Sequence, residues 1–200
     1  MMIFLSSDEE DLVCKAKDGD RGAFDQLYQK YKRPILNYIY RFVGNRASAE
    51  ELAQETFIRA YLNIHRFQPR AKFSSWLYRI AANLSKNFLR HASYERKLIP
   101  NQRRSTEGFD EDRRLIEEFE DSTKKPDEIA LSRETSAIVQ EAINELPTHL
   151  KEALMLCDIE GFSYDEAAKV MGCKSMTVGS RLWRAREKLS KILKHLKNGD

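Results

Sequence analysis

SYDEAAKVMGCKSMTVGSRLWRAREK, residues 163–188, reads as two short helices around a tight turn. Ser163 and Glu166 have the Ser-x-x-Glu spacing of a capping box, which predicts a helix starting at Tyr164. Ala167, Ala168, Val170 and Met171 give that helix an apolar side, and Gly172 can supply the backbone conformation that stops it. Ser175 reads as the N-cap of the second helix. Beyond it Val178, Leu182, Ala185, Leu189 and Ile192 recur every three or four residues and make one buried face. Thr177, Ser180, Arg181, Arg184, Lys188 and Lys191 follow the same period on another side. A helix buried on one face, with hydroxyls near its N-terminus and guanidiniums along it, suits the major groove of DNA. The competing reading is an ordinary amphipathic helix with a solvated charged face, since short helix-turn-helix patterns recur by chance.

The rest of the chain narrows the choice. At 200 residues and 42% hydrophobic content it has the material for one or two packed domains. A formal net charge of +3 says little about nucleic acid, but the distribution of charge says more. Lys174 to Lys197 carries a local net of +7 and Arg79 to Arg104 a net of +6, while Glu107 to Glu128 between them carries −6. Two basic blocks separated by an acidic one predict two polyanion-contacting surfaces joined by a segment that does not touch DNA. Cys14, Cys157 and Cys173 are far apart with no C-x-x-C, so a reducing compartment fits better than a disulfide framework. His65, His91, His149 and His195 are equally scattered, and no metal or other cofactor is expected. No apolar run approaches the ~20 residues needed to span a bilayer. Met1 to Leu5 is too short for a signal peptide and is followed by acids. A cytoplasmic protein without direct membrane insertion is expected.

Strand signals are nearly absent and helical periodicity dominates. Leu12, Val13 and Ala16 mark a first helix closing near Gly19. Ala23 to Phe42 mark a long second one ending at Gly44, with Pro34 expected to kink it. Ser48 and Glu51 form a second capping-box pattern, starting a third helix with Leu52, Phe57, Ala60, Tyr61 and Ile64 on its apolar side. A loop, Arg66 to Ser75, leads to a fourth helix from about Ser74 to Arg90 that buries Trp76, Leu77, Ile80, Ala81, Leu84 and Phe88. From Ala92 to about Pro126 the pattern weakens, apart from a short helical stretch around Arg113 to Glu120. Periodicity returns at Ile129 and runs through Leu154 and Leu156 into the opening motif. The expected fold is all-α, with two small helical domains, residues 8–91 and 129–196, joined by an acidic flexible linker over 92–128.

SAEELAQETFIRAY, Ser48 to Tyr61, followed by FSSWLYRIAANLSKNFLR, Phe73 to Arg90, resembles sigma region 2 of the extracytoplasmic-function (ECF) class of bacterial sigma factors. Leu146-Pro147 through GFSYDEAAKVMGCKSMTVGSRLWRAREKL resembles sigma region 4 of the same class. The two matches stand in the right order, and no counterpart of region 1.1 or region 3 fits between them. The resemblance implies a dissociable promoter-specificity subunit of RNA polymerase, with no chemistry of its own. Its partners would be core RNA polymerase (the β′ clamp helices and the β subunit), promoter DNA, and an anti-sigma factor. Glu50, Glu51, Gln54, Glu55 and Arg59 share the polar side of the third helix. By resemblance Glu51, Gln54 and Glu55 contact the clamp helices, although Glu50 and Glu51 also suit a helix N-terminus through its dipole.

Asn83, Lys86, Asn87 and Arg90 make a second polar face on the fourth helix. Asparagines in a helix interior cost roughly 0.5 kcal/mol or more each against Ala, which invites a contact explanation. By resemblance this face reads the −10 element, with Lys86 and Arg90 on phosphates. The loop Arg66 to Ser75 would hold a flipped non-template base. Trp76 has the spacing of core, and Tyr78 is open to either reading. By the same resemblance Ser175, Thr177, Ser180, Arg181, Arg184 and Lys188 face the −35 element. Family members often carry Arg or Lys where this chain has Gly179, a departure that removes one contact and weakens the helix by up to ~1 kcal/mol. A stand-alone helix-turn-helix repressor would explain the C-terminal motif but not SAEELAQETFIRAY or the asparagine face. An enzyme has no carboxylate cluster, Ser/His/Asp set or phosphate-binding Gly loop in its favour.

Overall fold

The computed structural model describes residues 7–68, 72–98 and 138–198, and every regular element among them is helical. The helices are α1 (Ser7–Lys17), α2 (Arg21–Val43), α3 (Arg46–Asn63) with a 3-10 turn at Ile64–Arg66, and α4 (Phe73–Leu98). They continue with α5 (138–144), α6 (Thr148–Leu154) running into a π turn at Met155–Ile159, α7 (Tyr164–Met171) and α8 (Ser175–Asn198).

Local chemistry sets most of these limits. Asp20 caps α2 by accepting from the Ala23 amide at 3.1 Å, and Gly44 closes it in the left-handed conformation at φ 76°. The helix runs on through Pro34 to Val43. The helix α3 starts earlier than the Ser48–Glu51 pattern predicts. Once Gly44 has turned the chain, Asn45 is extended and its side chain accepts from the Ser48 amide at 2.9 Å, so Asn45 is the cap. The Ser163–Glu166 box forms in both directions, and Gly172 ends α7 at φ 65°. Ser175 does not cap α8. The first acceptor there is the Lys174 carbonyl, and the Ser175 hydroxyl donates to Asp165.

Helices α1 to α4 bury Leu27, Ile35, Ile39, Ala49, Ala53, Phe57, Leu77 and Ala81 among one another. Glu9 is buried with them, held by the Tyr31 hydroxyl at 3.0 Å and by Lys30. A second core gathers Ile143, Leu146, Leu150, Leu154, Leu182 and Ala185 from α5, α6 and α8.

Two cores would suit two tethered domains, but the units are packed together. A chain of rings crosses between them: Phe42 to Tyr38 at 5.8 Å, Tyr38 to Tyr78 at 5.1 Å, and Tyr78 to Phe162 at 4.9 Å. Met155, Leu156, Ala167, Ala168, Val170 and Val178 of the second unit belong to the same apolar cluster as the α2 and α4 side chains. Tyr78 is therefore a core residue of the junction, while Trp76 lies half-buried against Phe67 and Phe73. Helix α4 continues to Leu98, past residue 91. Residues 99–128 of the expected linker, with the helix expected near 113–120, lie outside the described residues.

Polar bonds cross the junction as well. The Tyr78 hydroxyl donates to Glu160 at 2.5 Å, Lys86 meets Glu152 at 3.0 Å, and Lys72 meets Glu166 at 2.6 Å. Gln140 donates to the Arg41 carbonyl at 3.0 Å, and Lys151 to the Phe42 carbonyl at 3.3 Å. Burial pushes the Glu160 carboxyl above its ordinary range, against the opposing pulls of the Tyr78 hydroxyl and the Arg41 charge. A carboxyl raised in the folded state favours folding when protonated, and that gain is lost as pH rises through its folded value. Glu160→Gln should therefore melt at a higher temperature than the parent near neutral pH. The advantage should shrink as pH is lowered toward ~4, in thermal unfolding followed by circular dichroism.

Candidate nucleic-acid and partner interface

Helix α8 divides its circumference three ways. Val178, Leu182 and Ala185 are wholly buried. Ser180, Arg184 and Lys188 are exposed, and Thr177 and Arg181 beside them are half-buried. The Ser180 hydroxyl donates to the Thr177 carbonyl at 3.0 Å, and the Arg181 guanidinium approaches the Cys173 sulfur at 3.9 Å. Ser175 is half-buried and spends its hydroxyl on Asp165, so it orients the turn rather than offering a free donor here. On the third side Met176 and Trp183 stand 86% and 66% exposed. Sequence reading missed this pair, although both fall outside the 178/182/185 stripe. Arg186 closes a fork on Asp158 at 2.9 and 2.5 Å, which fixes α8 to the π turn.

The α4 residues expected to read the −10 element share one face. Asn83, Asn87 and Arg90 are exposed, with Arg90 donating to the Asn87 side-chain oxygen at 2.6 Å. Lys86 is half-buried and reaches across the junction to Glu152. Next to Asn83, a cleft of about 340 Å³ opens between the end of α3 and α4, lined by Arg59, Asn63, Arg66, Trp76, Ile80 and Asn83. It offers two guanidiniums, two amides and an indole face. Residues 69–71 of the loop expected to hold a flipped base lie outside the described residues.

On α3, Glu51 and Gln54 are exposed, and Glu55 pairs with Arg59 at 2.6 Å. The same stripe continues into Ile58 and Leu62, exposed at 53% and 62%, with Tyr61 alongside. Tyr61, expected on the apolar side, packs edge-on against Phe24 at 5.0 Å yet keeps much of its ring in solvent. Ile58 and Leu62 were readable as apolar residues at the spacing of the polar face, four and eight residues beyond Gln54. Exposed apolar side chains beside charged ones are the composition of a docking surface rather than a solvated helix face. Among the described residues no group of three His, Cys, Asp or Glu gathers where it could hold a metal.

Two family models match the chain: Sigma-70 region 2 over residues 27–94 and Sigma-70, region 4 over residues 136–189. The chain is 38% identical over 188 residues to RNA polymerase sigma-H factor of Pseudomonas aeruginosa, covering 94% of this chain and 95% of that one. It is 34% identical over 181 residues to ECF RNA polymerase sigma-E factor of Escherichia coli, covering 88% and 89%. In fold it resembles the structure of CnrH in complex with the cytosolic domain of CnrY, with a TM-score of 0.68 at 24% identity over 94% of this chain and 97% of that one. It also resembles the sigma factor RpoE in complex with the anti-sigma factor NepR from Bartonella quintana, with a TM-score of 0.65 at 22% identity over 86% and 96%.

The structure explains what Gly179 does to α8. A Cβ added there would lie 3.5 Å from the Tyr164 ring, an ordinary contact, and the residue has helical neighbours on both sides. Gly179→Ala should therefore stabilise the protein by up to ~1 kcal/mol through helix propensity, raising the midpoint in urea titration without changing the slope.

Proposed function

The chain belongs to the ECF class of sigma-70-type RNA polymerase sigma factors, and from that membership we propose which surfaces carry each part of promoter-specific initiation. Sigma factors are transcription initiation factors rather than enzymes, so each surface binds and none reacts. The polymerase-docking and −10-reading unit runs from residue 8 to the end of α4 at Leu98, 129–196 is the −35-reading unit, and the segment between them is the connection. The observation that carries this reading is the pair of polar, cation-bearing helix faces, each standing off a buried stripe of its own. One is Asn83, Asn87 and Arg90 on α4, and the other is Ser180, Arg184 and Lys188 on α8. Helix α8 enters the major groove, where Arg184 can make a bidentate contact to a guanine edge and Lys188 a phosphate contact. Trp183 and Met176, exposed on the flank, suit apolar contact with thymine methyl groups.

On α4, Asn83 and Asn87 present donor and acceptor together, as an unpaired base edge requires. The neighbouring cleft, with Trp76 and the guanidiniums of Arg59 and Arg66, fits a base turned out of the stack. The stripe Glu51, Gln54, Glu55, Ile58 and Leu62 on α3 docks the β′ clamp helices. This stripe favours a sigma factor over a stand-alone repressor, which has no use for an exposed mixed face remote from DNA. Regulation by an anti-sigma factor and a cytoplasmic location belong to the same proposal and rest on ECF membership. Among the described residues no helix is long and apolar enough to cross a membrane.

In vitro transcription with core polymerase, on a genomic library with start sites mapped, tests the reading directly. Gln54→Ala with Glu55→Lys should abolish transcription and co-purification with core enzyme while leaving helix content unchanged. Arg184→Ala should weaken promoter binding by ~1–3 kcal/mol and relax selectivity at one base pair of the −35 element. Lys188→Ala should instead weaken all sites alike and reduce the salt slope by about 1. Transcription that survives the α3 double variant would assign core binding to another surface.

A further inference from the structure

We propose that the cleft between the start of α4 and the turn joining α7 to α8 binds a small phosphorylated molecule, a ligand separate from promoter DNA and from polymerase. The cleft holds about 780 Å³ and takes its walls from α4, the end of α7 and the start of α8. That volume falls within the ~300–1,000 Å³ of small-molecule sites.

Unspent charge supplies the first reason. Arg79 of α4, Lys169 of α7 and Lys174 of the turn converge on the cleft, and all three are exposed. None of their side chains has an ion pair or hydrogen bond among the described residues, whereas Lys30, Lys72, Lys86 and Arg186 are each spent on a carboxylate. Asp165 also borders the cleft, but the Ser175 hydroxyl already donates to it. Three cations against one carboxylate leave two positive charges for an anion to meet. The start of α8 adds to them. With Ser175 turned to Asp165, the 24-residue helix begins on the Lys174 carbonyl without a serine cap, and its positive end lies where Lys174 and Ser175 line the cleft. Backbone amides at such an end take phosphate oxygens.

Ser75 points to a ligand independently of charge. It lines the cleft, is only 2% exposed, and its hydroxyl has no hydrogen-bond partner among the described residues. Ser85, further along the same helix and also buried, spends its hydroxyl on the Ala81 carbonyl at 2.9 Å. Ser75 sits in the first turn, where the carbonyl four residues back lies outside the helix, so that acceptor is not offered to it. A buried hydroxyl without a partner is costly, and a bound group that accepts from it accounts for its being there. A phosphate oxygen is such an acceptor.

The shape of the cleft decides between a small molecule and a nucleic-acid backbone. A duplex lays its phosphates on exposed cations, but it does not reach a serine that is 2% exposed or the buried Ala168 beside it. A small phosphorylated molecule reaches both the rim and the depth. The half-buried Trp76 ring also lines the cleft and offers an apolar wall to the organic part of the ligand. A Cβ on Gly172 would meet nothing within 4 Å, so the wall at the end of α7 is open as well.

Isothermal titration calorimetry of the full chain, with inorganic pyrophosphate as the probe, tests the site without polymerase or promoter, so its failure leaves the sigma-factor reading standing. One saturable site should appear. Arg79→Gln and Lys169→Gln should each weaken it about tenfold, and Lys188→Gln, whose cation lies outside the cleft, should not. Ser75→Ala should raise the melting temperature of the ligand-free chain and shrink the further rise that pyrophosphate produces. An undiminished rise in Ser75→Ala would take the serine out of the site and the proposal with it. ADP is the second probe, in a Trp183→Phe chain that keeps Trp76 as its one tryptophan. Tighter binding by ADP with quenching of Trp76 would make the ligand a nucleotide, and equal affinity without quenching would show that the phosphates alone are read. The proposal is overturned if neither probe gives saturable heat at millimolar concentration. It is overturned too if Lys188→Gln weakens binding as much as the cleft variants do, which is diffuse attraction to a basic surface. Duplex binding weakened by Arg79→Gln and Lys169→Gln as strongly as pyrophosphate binding would assign these cations to DNA and overturn it equally.

Discussion

The run of rings from Phe42 through Tyr38 and Tyr78 to Phe162 is the contact on which the arrangement of the molecule depends. Each ring pair contributes ~0.5–1.5 kcal/mol beyond the apolar area it buries. Met155, Leu156, Ala167, Ala168, Val170 and Val178 extend this apolar contact with α2 and α4, whereas the polar bonds across the junction are poor sources of net stability. An ion pair such as Lys86–Glu152, with its carboxylate buried and its ammonium half-buried, gains little over desolvation, although stripping Glu152 of its cation is costly. Attraction across the junction is therefore mostly apolar, while the polar groups fix its register. Tyr78 does both, stacking edge-on against Phe162 and donating to Glu160.

The same division explains what could be read from the sequence. Helix identity followed from periodicity, and the Ser163–Glu166 box and Gly172 stop were legible because their chemistry is complete within ten residues. The α3 cap was missed because Asn45 and Ser48 both suit the role. The choice between them was made by where Gly44 turned the chain. Ser175 was read as a cap for the same kind of reason, and its hydroxyl went instead to Asp165, ten residues earlier. Of the residues expected on the outer faces of α3 and α8, Glu51, Gln54, Ser180, Arg184 and Lys188 are exposed and Glu55, Ser175, Thr177 and Arg181 half-buried, while the exposed Ile58, Leu62, Met176 and Trp183 were overlooked. Periodicity assigns apolar residues to a core by default, and it takes a surface to show which ones the core has left out.

The junction itself was invisible for a deeper reason. Lys151 and Glu152 stand side by side in sequence and read as solvated charges, but both are buried. Lys151 reaches the Phe42 carbonyl at 3.3 Å and Asn144 at 3.2 Å, and Glu152 takes Lys86, so their partners lie on other helices. Burial stripes show that a helix packs but not against what, so two self-sufficient domains and two interlocked ones have the same pattern. The π turn at Met155–Ile159 adds to this. It widens the helix by one residue per hydrogen bond, sends Met155 and Leu156 inward, and leaves Asp158 free for Arg186. No local signal marks such a turn in advance.

Helix α8 is framed by both units. Its Val178 is part of the cluster shared with α2 and α4, whereas Leu182 and Ala185 belong to the second unit's own core. The first turn of α8 is packed against the junction, and the rest is held by α5 and α6. Beyond its first turn the helix is anchored in the second unit's own core. Tyr164 against Gly179 and the Arg186–Asp158 fork are local braces, both within the second unit. A glycine at 179 costs helix propensity and any cation at that position, although the Tyr164 ring would accept a Cβ there at an ordinary 3.5 Å. The hydrogen bond of Ser180 and the Arg186 fork that braces α8 both lie within the second unit.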